Sequence, residues 1–199
     1  MGIKGNAMKC LHTNCAKKNE HILIDPRLAI IPAECEIGDL RRLLGYFQYR
    51  APNIDSVHSP LLPAVGHNDV LDAMVAVLKN NDYCIFKAQN ANTESALREV
   101  SLWENTVCDR CKRFMCKRMT LNAKRDPTRK ETDLECLLRH MRNSIAHGHV
   151  YIFHAGSHIT VCFEDVNKDH NTTARILCTQ ADLKKWKSIL EKAIKDTET

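Results

Sequence analysis

The sequence contains no run of about 18 apolar residues, so none of its helices is expected to span a membrane. Its first residues also lack the apolar stretch of a secretory signal, and we therefore expect a cytoplasmic protein. No internal repeat and no low-complexity segment is present. Apolar residues make up 44% of the 199 residues, which is enough for a packed core and excludes wholesale disorder.

The ten cysteines do not form a disulfide framework, because their spacing is irregular and a chain that is not exported keeps its thiols reduced. For two groups of cysteine and histidine residues, zinc binding is an alternative to a role in the core. Cys10, His12 and Cys15 lack an evident fourth ligand, and Cys108 and Cys111 fall on the apolar side of a predicted helix, where thiols are ordinary core residues. We expect no metal and no other cofactor.

Positive charge is in mild excess, with 29 Lys and Arg against 24 Asp and Glu, and this balance suits an anionic partner. The excess is most concentrated between residues 110 and 130. This basic run is typical of a solvated helix face, of an RNA-binding flank or of a docking surface for an acidic antitoxin. If it binds RNA, we expect Arg113 and Lys117 to make the contacts.

Periodicity of the apolar residues gives the order of the elements. A spacing typical of helices predicts helices over residues 34–49, 67–80, 93–121 and 131–147. The period then changes from about 3.6 to 2, which predicts short strands over residues 150–153, 159–163 and 174–177.

A capping-box pattern at Thr179 and Asp182 marks the start of a closing helix. We therefore predict a mainly α fold, a helical bundle with a small antiparallel β-element before the C-terminal helix. Residues 1–32 are expected to form an extension of unclear role, and residues 33–199 the folded domain.

The predicted helix over residues 131–147 separates apolar from polar side chains. Its apolar side, which we expect to face the core, consists of Leu134, Leu137, Leu138, Met141 and Ile145. Its polar side carries no acidic residue and consists of Arg139, His140, Arg142, Asn143 and His147.

These residue types suit the cleavage of an RNA phosphodiester bond. Arginine offers a planar fork that matches phosphate oxygens, and histidine transfers protons near neutral pH. Because RNA supplies its own nucleophile, the 2′-hydroxyl, the protein has only to move protons and stabilise the charged phosphorane. No metal is required for this chemistry.

The segment from Arg142 to His147 resembles the R-x4-H motif of the HEPN superfamily, with the polar Asn143 directly after the arginine. The longer segment Leu137–Gly148 is similar to the motif helix of small bacterial and plasmid-borne HEPN proteins, in which a few strands and a closing helix follow. The resemblance covers roughly residues 90–199.

The resemblance implies a metal-independent endoribonuclease of a toxin–antitoxin or anti-phage defence system. Arg142 and His147 would be its catalytic pair and Asn143 the supporting polar residue, and we expect Arg139, His140 and His149 to contact the RNA. The alternative is a catalytically inactive HEPN module that binds RNA or nucleotide or scaffolds a complex.

Spacing along the helix favours a homodimer. Arg142 and His147 are five residues apart and therefore diverge by about 140° around an ideal helix. Two copies of the helix facing one another would bring both residue types into one cleft, as HEPN proteins commonly do. The expected partners are therefore RNA, a second copy of the chain and an antitoxin or defence-system protein.

Overall fold

The computed structural model of the protein defines the placement of part of the chain. The described residues are 23–24, 38–51, 60–61, 68–78, 82–87, 107–108, 113–118, 132–155, 158–168, 170 and 172–198.

The described residues form four helices and seven strands. The helices are α1 (Gly38–Arg50), α2 (Asn68–Val77), α3 (Asp133–Ala146) and α4 (Gln180–Thr197). The strands are β1 (Leu23–Ile24), β2 (Asp82–Lys87), β3 (Val107–Cys108), β4 (Arg113–Arg118), β5 (Val150–Ala155), β6 (His158–Val166) and β7 (Thr172–Thr179).

Five of the strands form one sheet in the order β2-β4-β7-β6-β5. Neighbouring strands are antiparallel except β2 and β4, which are parallel. The short strands β1 and β3 pair with each other in a separate antiparallel ladder. Among the described helices, none is long and apolar enough to cross a membrane.

The main core lies between the helices and one face of this sheet. Helix α3 is its centre, because every residue from Leu134 to Met141 is buried. Helix α1 contributes Leu40 and Phe47, and β6 contributes Val161 and Phe163. Trp186 of α4 is fully buried, and its indole N–H donates to the carbonyl oxygen of Met74 at 2.8 Å.

The predicted fold class is confirmed: the fold is mainly α, with β5, β6 and β7 forming an antiparallel element before the C-terminal helix. The predicted capping box of that helix is also confirmed. The backbone N–H of Asp182 donates to the Thr179 hydroxyl, and the Asp182 carboxylate accepts from the Thr179 backbone N–H.

The predicted helix over residues 93–121 is wrong where the structure describes it. Strands β3 and β4 lie within that range, and β4 is hydrogen-bonded between β2 and β7. The apolar residues Phe114, Met115 and Cys116 are adjacent, and so short a run fits a strand as well as a helix. Residues 113–118 form a strand because they pair with a neighbouring strand on each side. The sheet is consequently larger than predicted.

Helix α3 begins with a second capping box, which fixes its first turn. Thr132 accepts from the backbone N–H of Glu135 at 3.1 Å, and the Glu135 carboxylate accepts from the Thr132 N–H at 2.9 Å. Thr132→Ala should therefore lower the free energy of unfolding by about 1 kcal/mol, measured by urea denaturation. Thr132→Ser keeps the hydroxyl and is the control; an equal loss in both variants would contradict the capping explanation.

Candidate active site

The end of α3 is a Schellman turn that places His147 at the surface. The N–H of His149 donates to the carbonyl oxygen of Ser144 at 2.8 Å, and the N–H of Gly148 donates to that of Ile145 at 3.2 Å. Gly148 has a φ of +74°, the left-handed conformation that this turn requires. His147 is consequently the C-cap residue, and its side chain is exposed.

Gly148→Ala should test this turn. A Cβ at Gly148 would meet no atom within 4 Å, so the cost comes from the left-handed backbone alone and amounts to about 1–2 kcal/mol of unfolding free energy. Gly45, inside α1, is equally open but has no positive φ, so Gly45→Ala should stabilise the protein by about 0.5–1 kcal/mol. Urea denaturation measures both variants. If the two substitutions changed the free energy of unfolding in the same direction, the left-handed backbone of Gly148 would not be the cause of the loss.

His147 and His149 form a pair of imidazole rings at this turn. Their centroids are 6.4 Å apart, and the ring planes are tilted by 38°. Nδ1 of His149 is buried and has no hydrogen-bond partner within the described part of the chain. The turn thus brings two potential proton carriers together at one end of the motif helix.

Arg142 is held by the C-terminal end of α1. Its Nε donates to the carbonyl oxygen of Gln48 at 3.2 Å, a group that the end of a helix otherwise leaves without an intrahelical partner. Neither of its Nη groups has a partner among the described residues. The guanidinium is therefore oriented through Nε, and its outer fork has the planar geometry that matches the oxygens of an anion.

Asn143 connects α3 to the sheet. Its side-chain Nδ2 donates to Oδ2 of Asp165 on β6 at 3.2 Å, and its backbone carbonyl oxygen accepts from the N–H of His147 at 2.9 Å. Arg142, Asn143 and His147 therefore share the last turns of one helix. Within the described residues, no hydrogen bond joins the Arg142 and His147 side chains directly.

The prediction that Arg139 and His140 lie on an outer face and contact RNA is wrong. Arg139 is 2% exposed and His140 is 1% exposed, so a nucleic acid at the surface cannot reach them. The physical reason is an acidic partner that is distant in sequence. His140 Nδ1 lies 2.6 Å from Oδ2 of Asp165, and Arg139 Nη2 lies 3.2 Å from His140 Nε2.

This buried cluster changes the protonation behaviour of His140. Burial lowers the pKa of His140, but its hydrogen bonds to Asp165 and Cys136 raise the pKa by more, so that it lies above its ordinary value. The charge of Arg139 acts in the opposite direction. Arg139 and His140 therefore form part of the support beneath the site and do not belong to its surface.

Asp165 is the residue that sequence reasoning missed. On β6 it follows Val161 and Phe163 at intervals of two, which places it on the face that packs against α3. An acidic residue at a core-facing strand position is a usable signal, because it needs a buried partner. The contact of Arg142 with Gln48 has no such signal, since it involves a backbone carbonyl.

The remaining predicted residues divide into two groups. Arg113 and Lys117 lie on β4 and Cys108 lies on β3, so all three are in strands instead of a helix. RNA binding by Arg113 and Lys117 stays a prediction. His149 is half-buried at the Schellman turn, and its contact with RNA also stays a prediction. The candidate ligands that lie outside the described residues are Cys10, His12, Cys15 and Cys111.

A metal centre has no support in the part of the chain that the structure covers. Among those residues, no group of three or more His, Cys, Asp or Glu side chains is arranged to hold a metal ion. Cys136, Cys162 and Cys178 are buried and free of disulfide bonds. The side chains described at the end of α3 are the guanidinium of Arg142, the amide of Asn143 and the imidazoles of His147 and His149.

A motif helix that ends in this arginine–histidine segment, followed by a small sheet and a closing helix, is typical of a HEPN protein. The chain matches the family model HEPN pEK499 p136 over residues 70–199, a range that includes α3 and everything after it. The protein belongs to this HEPN family, and membership indicates a function related to RNA. No curated protein and no solved structure matches the chain.

Proposed function

We propose that the protein is a metal-independent endoribonuclease of the HEPN type. The observation that carries this proposal is the hydrogen bonding of Arg142 together with the exposure of His147. The guanidinium is held through Nε alone, with its fork unpaired among the described residues, and the imidazole is exposed at the end of the same helix. The fork supplies an anion-binding group and the imidazole a proton-transfer group at the same end of the motif helix.

The reaction that fits these groups is transesterification by the RNA itself. The 2′-oxygen forms a bond to phosphorus, the bond from phosphorus to the 5′-oxygen breaks, and the products carry a 2′,3′-cyclic phosphate and a 5′-hydroxyl. One proton leaves the 2′-hydroxyl and one joins the departing 5′-oxygen. In this proposal His147 transfers one of these protons, and Arg142 stabilises the negative charge of the phosphorane.

The active enzyme is proposed to be a homodimer. Two copies of α3 related by a two-fold axis would place two Arg142 and two His147 side chains around one RNA backbone, which offsets their divergence of about 140° on a single helix. Size-exclusion chromatography with light scattering should give twice the 22.7 kDa of one chain. A monomer alone at micromolar concentration would contradict the dimer.

In the cell we propose that this activity is that of a toxin or an anti-phage defence effector in the cytoplasm. An antitoxin or defence-system protein would then restrain it. The division into residues 1–32 and 33–199 is likewise proposed, and the packing of α1 against α3 in the same core supports a folded domain that includes α1.

The second candidate is a catalytically inactive HEPN module that binds RNA or nucleotide. One observation favours it: the bond from Arg142 to Gln48 stabilises the end of α1, so Arg142 also has a structural role. The two candidates differ in what happens to RNA, because a binding module retains the strand intact.

Incubation of the purified protein with total RNA in EDTA, beside His147→Ala, separates the candidates. The proposed enzyme cleaves RNA in the presence of the chelator, and the variant does not. If wild-type protein binds RNA but leaves it intact, the inactive module is correct. Cleavage that requires added metal would contradict the proposed mechanism.

A further inference from the structure

The buried carboxylate of Asp165 controls the orientation of the Asn143 amide. Asp165 is 5% exposed, and its Oδ2 accepts from His140 Nδ1 at 2.6 Å and from Asn143 Nδ2 at 3.2 Å. A carboxylate oxygen only accepts hydrogen bonds, so the NH₂ group of Asn143 must face Asp165. Flipping the amide would place two acceptors against each other.

The amide carbonyl oxygen of Asn143 is therefore turned away from Asp165. It has no hydrogen-bond partner among the described residues, and the side chain is only half-buried. Next to it along α3, Arg142 offers only donors. The end of the helix thus combines a donor fork with an oriented side-chain acceptor.

A ribose phosphate is the ligand that matches this combination. Phosphate oxygens accept hydrogen bonds and suit the guanidinium, whereas the 2′-hydroxyl is the donor of the sugar–phosphate backbone and lies beside the 3′-phosphate. The 2′-hydroxyl also allows a protein to distinguish RNA from DNA. An acceptor that follows a phosphate-binding arginine in the last turns of the same helix is therefore suited to recognise ribose.

We propose that Asp165 is a positioning residue that directs the Asn143 carbonyl oxygen toward the 2′-hydroxyl of the substrate and so makes the site selective for ribose. This inference rests on the proposed function, because it assumes that Arg142 binds the phosphate of an RNA strand. Asp165 lies on β6, outside the motif helix, and determines which sugar the site accepts.

Binding measurements test the selectivity without cleavage. In the His147→Ala background and in EDTA, fluorescence anisotropy gives the Kd for a uridine-containing oligoribonucleotide and for the oligodeoxyribonucleotide of the same sequence, with deoxyuridine in place of uridine. The ribose strand should bind more tightly. Adding Asn143→Ala should reduce this preference by about two- to tenfold, the value of one hydrogen bond, and should weaken only the ribose strand.

An exchange of the two side chains tests the role of Asp165. Asn143→Asp alone places two carboxylates together, so both the melting temperature and the ribose preference should fall. In Asn143→Asp/Asp165→Asn, the new amide at position 165 has to turn so that its oxygen accepts from His140 Nδ1 while its NH₂ group donates to the new carboxylate at position 143, whose second oxygen again faces away from position 165. The ribose preference should then return, whereas a purely structural contact would restore the melting temperature only.

The outcomes that overturn the inference differ from those that overturn the proposed function. If the wild-type protein cleaves RNA but Asn143→Ala leaves the ribose preference unchanged, or weakens both strands equally, ribose recognition by Asn143 is wrong. If the exchange variant regains stability without the preference, positioning by Asp165 is wrong. If neither strand binds and RNA stays intact, the proposed function fails as well.

Discussion

His147→Ala should lower the rate of RNA cleavage by about 10²- to 10⁴-fold, the contribution of a positioned proton-transfer group. The exposed ring of His147 makes no hydrogen bond within the described residues, so the melting temperature should not change. Single-turnover cleavage of a labelled RNA, with thermal denaturation alongside, measures both quantities. His158→Ala is the matched control, because His158 is an exposed histidine on β6.

The same experiment with Arg142→Lys examines the phosphate fork. Lysine keeps the charge but loses the planar pair of donors, and the rate should fall by about 10²- to 10³-fold. Arg41→Ala, an exposed arginine on α1, should retain the wild-type rate. A wild-type rate in either His147→Ala or Arg142→Lys would remove the corresponding residue from the proposed mechanism.

Arg175→Met should cause the largest loss of stability among the predicted variants, about 3–5 kcal/mol. Arg175 on β7 lies directly opposite Glu164 on β6, and its Nε and Nη2 donate to Oε2 of Glu164 at 3.1 and 2.8 Å. Both residues are buried, at 3% and 1% exposed. Removing the guanidinium leaves a carboxylate in the sheet without its principal counter-charge.

Urea denaturation at neutral pH measures this effect. The control is Lys184→Met, which removes the cation of the exposed ion pair with Asp39 at 2.8 Å and should leave stability unchanged, because water screens that pair. Replacing Arg175 and Glu164 together by apolar residues should recover most of the loss. Similar small effects at Arg175 and Lys184 would show that burial does not strengthen the Glu164 pair.

Local signals in the sequence were sufficient for the motif helix and its boundaries. Gly148 indicated the end of α3 because a left-handed residue is needed there, and Thr179 with Asp182 indicated the start of α4. These features depend on residues within one turn of each other. For the same reason, the exposure of His147 at the helix end followed from its position in the sequence.

Features that depend on distant residues were not predictable in this way. Arg139 and His140 were expected to lie on an outer face and contact RNA, yet Asp165 reaches His140 from a strand 25 residues further along the chain, and Arg139 packs beside His140 in the interior. The pairing of β4 between β2 and β7 likewise overrides a local pattern that resembled a helix. Both errors came from partners that periodicity does not reveal.

The most direct test of the central claim uses a DNA strand that contains a single ribonucleotide. Wild-type protein in EDTA should cut it only on the 3′ side of that ribose, leaving a 2′,3′-cyclic phosphate, and His147→Ala should leave it intact. Cleavage of the all-deoxy strand, or an unchanged rate with His147→Ala, would show that the end of α3 is not where the RNA is cut.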